Sequence, residues 1–183
     1  MRWPNYVTTL KLAISESQIQ ECVGRLAQLI QVDYQDQSLL VVGALNGSFV
    51  FLADLIRRMN LPIQVDFIRL SSYDESEKSS GTVRLHHGVR TSVAGKNVLV
   101  VEDIVDTGLT AQFIRGYFED QGAATVRICS LLDKPVRRRT SVTVDYVGFE
   151  VPDEFLVGYG LDYNQQYREL RALYSLEEEI DGS

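Results

Sequence analysis

Three carboxylates fall within five positions of the stretch VLVVEDIVDTGLTA, residues 98–111: Glu102, Asp103 and Asp106, followed by Thr107, Gly108, Leu109 and Thr110. Gly108 allows a tight turn, the two threonines offer hydroxyls, and a helix starting here turns its unpaired N–H groups back on the loop. Those are the parts of a phosphate cradle. The helix dipole supplies only about 0.3–2 kcal/mol, whereas each charge-assisted hydrogen bond gives roughly 1.5–3, so converging donors do most of the holding. The stretch is neither GxxxxGK[ST] nor GxGxxG. Any one of the acids alone would read as a strand end or a helix cap. Three together, beside a turn able to hold phosphate, need something further to bind, and sugar hydroxyls or a Mg²⁺ ion are the candidates.

Positioning such a loop requires a strand before it and a helix after it. VLVV is a continuous aliphatic run, as is SLLVVGAL (38–45), and both fit strands buried on two faces of a parallel sheet. The pattern repeats: FVFLADLIRRM (49–59) as helix and IQVDFIRL (63–70) as strand, then TAQFIRGYFEDQ as a helix stopped by Gly122, and ATVRICSLL (124–132) as strand. Ahead of them, Ser15 and Gln18 have capping-box spacing before Ile19, Val23, Leu26 and Ile30. Repeated β-α-β units predict an α/β fold with right-handed crossovers, its ligand crevice beyond the carboxyl ends of the strands. Residues 71–95, rich in Ser, Gly and charge, are either a hairpin excursion or a mobile loop, and a flexible lid is the expectation. LEEEIDGS is expected to be a solvated tail.

The 183 residues fit one domain with a full core, and 45% hydrophobic against 23% charged residues is a globular balance. Lys plus Arg number 18 against 25 acids, a net charge of −7, which argues against a general nucleic-acid surface. Neither a signal-peptide core nor a membrane-length apolar run is visible, giving a cytoplasmic reading. Cys22 and Cys129 read as core thiols, His86 and His87 as a solvated loop, and the arginines at 137–139 as a solvated turn or subunit contact.

The stretch VVEDIVDTGLT resembles the 5-phosphoribosyl 1-diphosphate motif of type I phosphoribosyltransferases. LNGSFVF (45–51), SSY (71–73), SLLDKP (130–135) and VGFEVPDEFLVGYGLDYNQQYREL (147–170) narrow the resemblance to the hypoxanthine-guanine phosphoribosyltransferases, over roughly residues 10–173. It implies a parallel-sheet type I phosphoribosyltransferase core flanked by helices. A small hood would come from the N-terminal segment and about 150–175, and a flexible lid from about 71–95, all in a single domain over 1–183.

The activity implied is purine salvage: Mg²⁺-dependent transfer of phosphoribose from 5-phosphoribosyl 1-diphosphate to N9 of hypoxanthine or guanine, giving IMP or GMP and pyrophosphate. By the same resemblance Glu102 and Asp103 hold the ribose hydroxyls, Asp106, Thr107, Gly108, Leu109 and Thr110 cradle the 5-phosphate, and Asp106 is the general base. Leu45, Asn46 and Gly47 form the pyrophosphate loop, with Asn46 where relatives often carry Lys or Arg; Ser72, Tyr73 and Arg168 also serve pyrophosphate. Lys134 donates to the oxygen at C6, Phe155 stacks on the purine, Leu156 and Asp162 read its edge, and Glu102, Asp103 and Asp162 are linked to the metal. A homodimer or homotetramer is implied, with no nucleic acid or membrane partner. Two rival readings are a nucleotide-sensing regulator on the same fold and a transferase for another base. A regulator would want a basic patch or an added domain, and Lys134, a donor only, disfavours adenine.

Overall fold

The structure is a computed structural model that describes residues 6–72 and 83–180. Its strands and helices follow in the order β1 (Tyr6–Ile14), α1 (Glu16–Asp33), β2 (Leu39–Leu45), α2 (Phe49–Ile56), β3 (Ile63–Ser72), β4 (Val83–His87), β5 (Asn97–Val105), α3 (Leu109–Asp120), β6 (Thr125–Asp133), β7 (Tyr146–Glu150), β8 (Leu156–Val157) and β9 (Leu173–Ile180).

The helix starts follow local chemistry. Ser15 Oγ accepts the Gln18 N–H at 3.3 Å while Gln18 Oε1 accepts the Ser15 N–H at 2.9 Å, a complete capping box. α3 begins at Gly108 in the left-handed region (φ 84°), and Gly122, also left-handed (φ 80°), follows its end.

Six strands form the main sheet in the order β4-β3-β2-β5-β6-β7. All neighbours run parallel except β4, which is antiparallel to β3. The buried aliphatic runs of β2, β5 and β6 are its centre, because both faces are covered. On one face Leu39, Val41, Leu99 and Val101 pack with α1 and α2; on the other Leu40, Val42, Val98 and Val100 pack with α3. From β2 the chain crosses through α2 to β3 on one side, and from β5 through α3 to β6 on the other. The two loops leaving β2 and β5 therefore part in opposite directions, and the crevice between them is the topological switch point. β1, β9 and β8 make a separate three-stranded antiparallel sheet.

Within segment 71–95, Ser71 pairs with Arg84 and Ser72 with Val83, while residues 73–82, the middle of the expected lid, lie outside the described residues. Two expectations change. His86 belongs to β4 rather than to a loop, and its Nε2 lies 2.7 Å from Ser71 Oγ across the strand pair. The acidic run near 177–179 is not a frayed tail but part of β9, with Glu177 paired to Thr9 and Glu179 to Val7. No helix among the described residues is long and apolar enough to cross a membrane, and Cys22 and Cys129 are buried free thiols.

Candidate active site

Val101 is the last β5 residue paired with β2, after which β5 runs on beside β6 alone to Val105. That divergence carries Glu102 and Asp103 into the switch-point crevice. Glu102 is 6% exposed and its Oε1 has no hydrogen-bond partner among the described residues. Burial, with the neighbouring Asp103 charge, pushes its carboxyl well above the usual range. Burial likewise pushes Asp103 up to about 6, against the pull of its own and Ile104's N–H groups and of Arg168. Two desolvated carboxylates side by side are costly unless something positive or hydroxylic joins them.

Across the crevice the β2 loop presses directly on Asp103. The Leu45–Asn46 peptide is cis, and Ser48 Oγ donates to Ala44 O at 2.6 Å to close the turn into α2. A Cβ placed on Gly47 would lie 1.7 Å from Asp103 Oδ2, and one on Gly160 would lie 2.2 Å from Gly47 O. Three segments distant in sequence therefore meet with no room for a side chain. Arg168 straps the far side, donating through Nη1 to Gly160 O at 2.7 Å and pairing through Nη2 with Asp162 Oδ1 at 2.6 Å. Asp162 Oδ2 accepts the Gln165 N–H at 2.9 Å, so both of its oxygens are engaged.

Beside this crevice lies a cavity of about 520 Å³ lined by Asp103, Asp106, Lys134, Phe155, Leu156 and Asp162, together with Ile104, Arg137, Asp153, Glu154 and Leu161. Lys134 follows directly on β6 and is only 6% exposed, its Nζ donating to Glu154 O at 2.6 Å. Phe155 is 53% exposed and is held edge-on by Tyr163, ring centroids 5.6 Å apart. An exposed ring held edge-on by its neighbour leaves its face available for stacking. Leu156 is fixed by β8 pairing with β9. One volume thus holds a carboxylate, a buried ammonium and an aromatic face, and opens beside the 106–110 turn into α3. The arrangement suits a flat heterocycle attached to a phosphorylated sugar.

The phosphoribosyl transferase domain family matches residues 15–164. The hypoxanthine-guanine phosphoribosyltransferase of Bacillus subtilis is 44% identical over 160 residues, covering 87% of this chain and 89% of the relative. That of Aquifex aeolicus is 42% identical over 170 residues, 92% of this chain and 96% of the relative. A crystal structure of a hypoxanthine-guanine phosphoribosyltransferase from Bacillus anthracis superposes with a TM-score of 0.88 at 42% identity, over 93% of this chain and 99% of that one. The chain belongs to the hypoxanthine-guanine phosphoribosyltransferase family.

Within this phosphoribosyltransferase, the fold brings together Asp103, Asp106, Lys134, Phe155, Leu156 and Asp162 around one cavity, with Gly47 and Arg168 at its edge. Thr107, Gly108, Leu109 and Thr110 form the turn into α3, where Thr107 Oγ1 accepts the Leu109 N–H at 3.4 Å. Asn46 is exposed beside Gly47. Ser72 ends β3, and Tyr73 lies outside the described residues.

Sequence reasoning missed the arginines. Arg137 lies in an exposed turn as expected but its Nε lies 2.9 Å from Asp106 Oδ1 and its Nη1 3.2 Å from Asp153, while Arg138 is not solvated and reaches Asp133 and the backbone of the β5 loop. Their place immediately after the Lys134 motif was the available signal.

Proposed function

We propose that the enzyme transfers the 5-phosphoribosyl group of 5-phosphoribosyl 1-diphosphate to N9 of hypoxanthine or guanine, forming IMP or GMP and pyrophosphate in purine salvage. The observation that carries the base class is the buried Lys134 ammonium in the cavity that also holds Asp106 and Phe155. An ammonium has donors only, so a 6-oxo group satisfies it and a 6-amino group leaves it unpaired.

In this reading the purine lies on Phe155 with its C6 oxygen toward Lys134 and its edge on the backbone of Leu156 and Asp162. Glu102 and Asp103 accept hydrogen bonds from the ribose hydroxyls. Donors of 106–110 take the 5-phosphate, while the 45–47 loop, Arg168, Ser72 and Tyr73 take pyrophosphate. The bond from C1′ to the pyrophosphate oxygen breaks as the bond from C1′ to N9 forms, and Asp106 accepts the proton leaving N7. Closure of a lid over 71–95 would exclude water from an oxocarbenium-like transition state.

The donor set fits a hard cation. Glu102 and Asp103 are carboxylates, one with an unpartnered buried oxygen. No group of three or more His, Cys, Asp or Glu is arranged as a metal cluster among the described residues. Mg²⁺ is commonly held by one or two carboxylates plus substrate phosphates. When bound, the ion neutralises the charge of the departing pyrophosphate. Glu102 and Asp103 would face it, whereas Asp162, engaged by Arg168 and Gln165, acts mainly by orienting that arginine.

A dimer or tetramer in the cytoplasm completes the proposal. It is supported by the exposed apolar side chains of Phe49, Val65 and Phe67, 45%, 39% and 41% exposed, and by the two buried free thiols, which suit a reducing compartment. The deciding experiment incubates the protein with donor, Mg²⁺ and one base at a time and follows nucleotide formation. Hypoxanthine and guanine are expected to react; reaction with adenine or uracil alone, or with no base, refutes the assignment.

A further inference from the structure

Arg138 lies behind the phosphate loop rather than in it. Its side chain is 18% exposed and is ion-paired through Nη2 with Asp133 Oδ1, itself on an 11% exposed side chain. Nη1 donates to Asp106 O at 2.8 Å and to Val105 O at 3.2 Å. The backbone of the same segment continues the pattern: the Lys134 N–H donates to Val105 O at 3.0 Å, and the Arg139 N–H donates to Thr107 O at 2.9 Å. Three successive carbonyls, of residues 105, 106 and 107, thus all turn toward the 134–139 segment.

In a trans peptide the C=O of one residue and the N–H of the next lie in one plane and point opposite ways. Fixing those three carbonyls on Arg138 and its neighbours aims the N–H groups of Asp106, Thr107 and Gly108 away from that segment. Successive N–H groups turned to one side make an anion-binding concavity. The backing is also closely packed: a Cβ on Gly108 would come within 2.9 Å of Arg138 Cδ and of Val142 Cγ1.

We propose that Arg138, anchored by Asp133, is a positioning residue that sets the donor face of the 5-phosphate loop. It touches no substrate. It acts by holding the loop carbonyls. The proposal rests on residues 106–110 being the phosphate cradle.

The test is Arg138→Met, which keeps the length and removes donors and charge, with Arg138→Lys, Asp133→Asn and Arg138→Ala alongside. Steady-state kinetics in both substrates is combined with calorimetric binding of ribose 5-phosphate. Arg138→Met is expected to raise the KM for the phosphoribosyl donor about tenfold or more, to weaken ribose 5-phosphate similarly, and to leave the KM for the base within twofold. Lysine, a single point donor, restores only part, Asp133→Asn has a smaller effect in the same direction, and millimolar guanidinium partly rescues Arg138→Ala. Equal rises in both KM values, no rescue, or unchanged ribose 5-phosphate binding in Arg138→Met overturns the proposal. If wild-type enzyme itself fails to bind ribose 5-phosphate, the cradle assignment falls, and this proposal with it.

Discussion

Replacing Gly47 by alanine adds one methyl group at the tightest contact of the site. The new Cβ would start 1.7 Å from Asp103 Oδ2 and 2.5 Å from its Cγ, where real contacts stay above 3.0 Å, a shortfall of 3.0 − 1.7 = 1.3 Å. The loop is also packed from its second side, because Gly47 O lies against Gly160. The Asp103 carboxylate, or the whole 45–48 turn, must therefore move by about 1 Å, and misplacement of that size costs on the order of 100-fold in rate, about 2.7 kcal/mol in transition-state binding. The expected result is a fall of that order in kcat/KM for the phosphoribosyl donor, measured from initial rates of nucleotide formation. Gly116→Ala, on α3 with nothing within 4 Å of the added Cβ, is the matched control and is expected to leave activity intact. Gly47→Ala activity within threefold of wild type would refute the claim that this contact holds Asp103 in register.

Three further predictions follow from the same geometry. Asp106→Asn removes the proposed proton acceptor but keeps the shape, so kcat is expected to fall about 10²–10⁴-fold while the donor KM stays within a few-fold; a near-normal kcat excludes Asp106 as base. Lys134→Met removes the donor proposed for the C6 oxygen, and kcat/KM for hypoxanthine is expected to drop about 10–100-fold with the donor KM unchanged, a pattern read directly from two-substrate kinetics. Asp66 accepts N–H groups of Phe67, Arg90 and Thr91 at 2.8–2.9 Å; burial pushes its carboxyl up, but these bonds outweigh burial and hold it below the usual range. A depressed carboxylate stabilises the fold above its unfolded pKa, near 3.9, and loses that contribution as pH falls through the folded value. Asp66→Asn should therefore cost about 1 kcal/mol at pH 7 and converge with wild type in strong acid, as urea unfolding at the two pH values will show.

How far the sequence could be read depends on whether a signal is local. The aliphatic runs of β2, β5 and β6, the Ser15–Gln18 cap and the Gly122 stop are written in adjacent residues, and each appears where its spacing placed it. Lys134 and Phe155, far from the acid loop in sequence, were legible through motif resemblance alone; composition says nothing of their convergence on one cavity. β9 was hidden because its partner is β1, so that LEEEI looks solvated until Leu176 is paired with Leu10. Arg138 was hidden for a related reason. Its partners are Asp133 and backbone carbonyls of the β5 loop, and a charge run does not reveal which backbone it will face.

The pairing of β1 with β9 orders the events of synthesis. Every strand of the main sheet, and with it the 102–110 loop, lies before residue 151. Leu156 is held by β8 pairing with β9, and β9 pairs in turn with the earliest strand described. Contacts of such sequence separation close late, since the entropy of joining distant segments must be met first. On the ribosome, the main sheet with Lys134 at the end of β6 is complete while the segment carrying Phe155 and Leu156 still waits for β9. A nascent chain arrested before Leu173 would hold the 102–110 loop and Lys134 but lack the pairing that fixes Leu156.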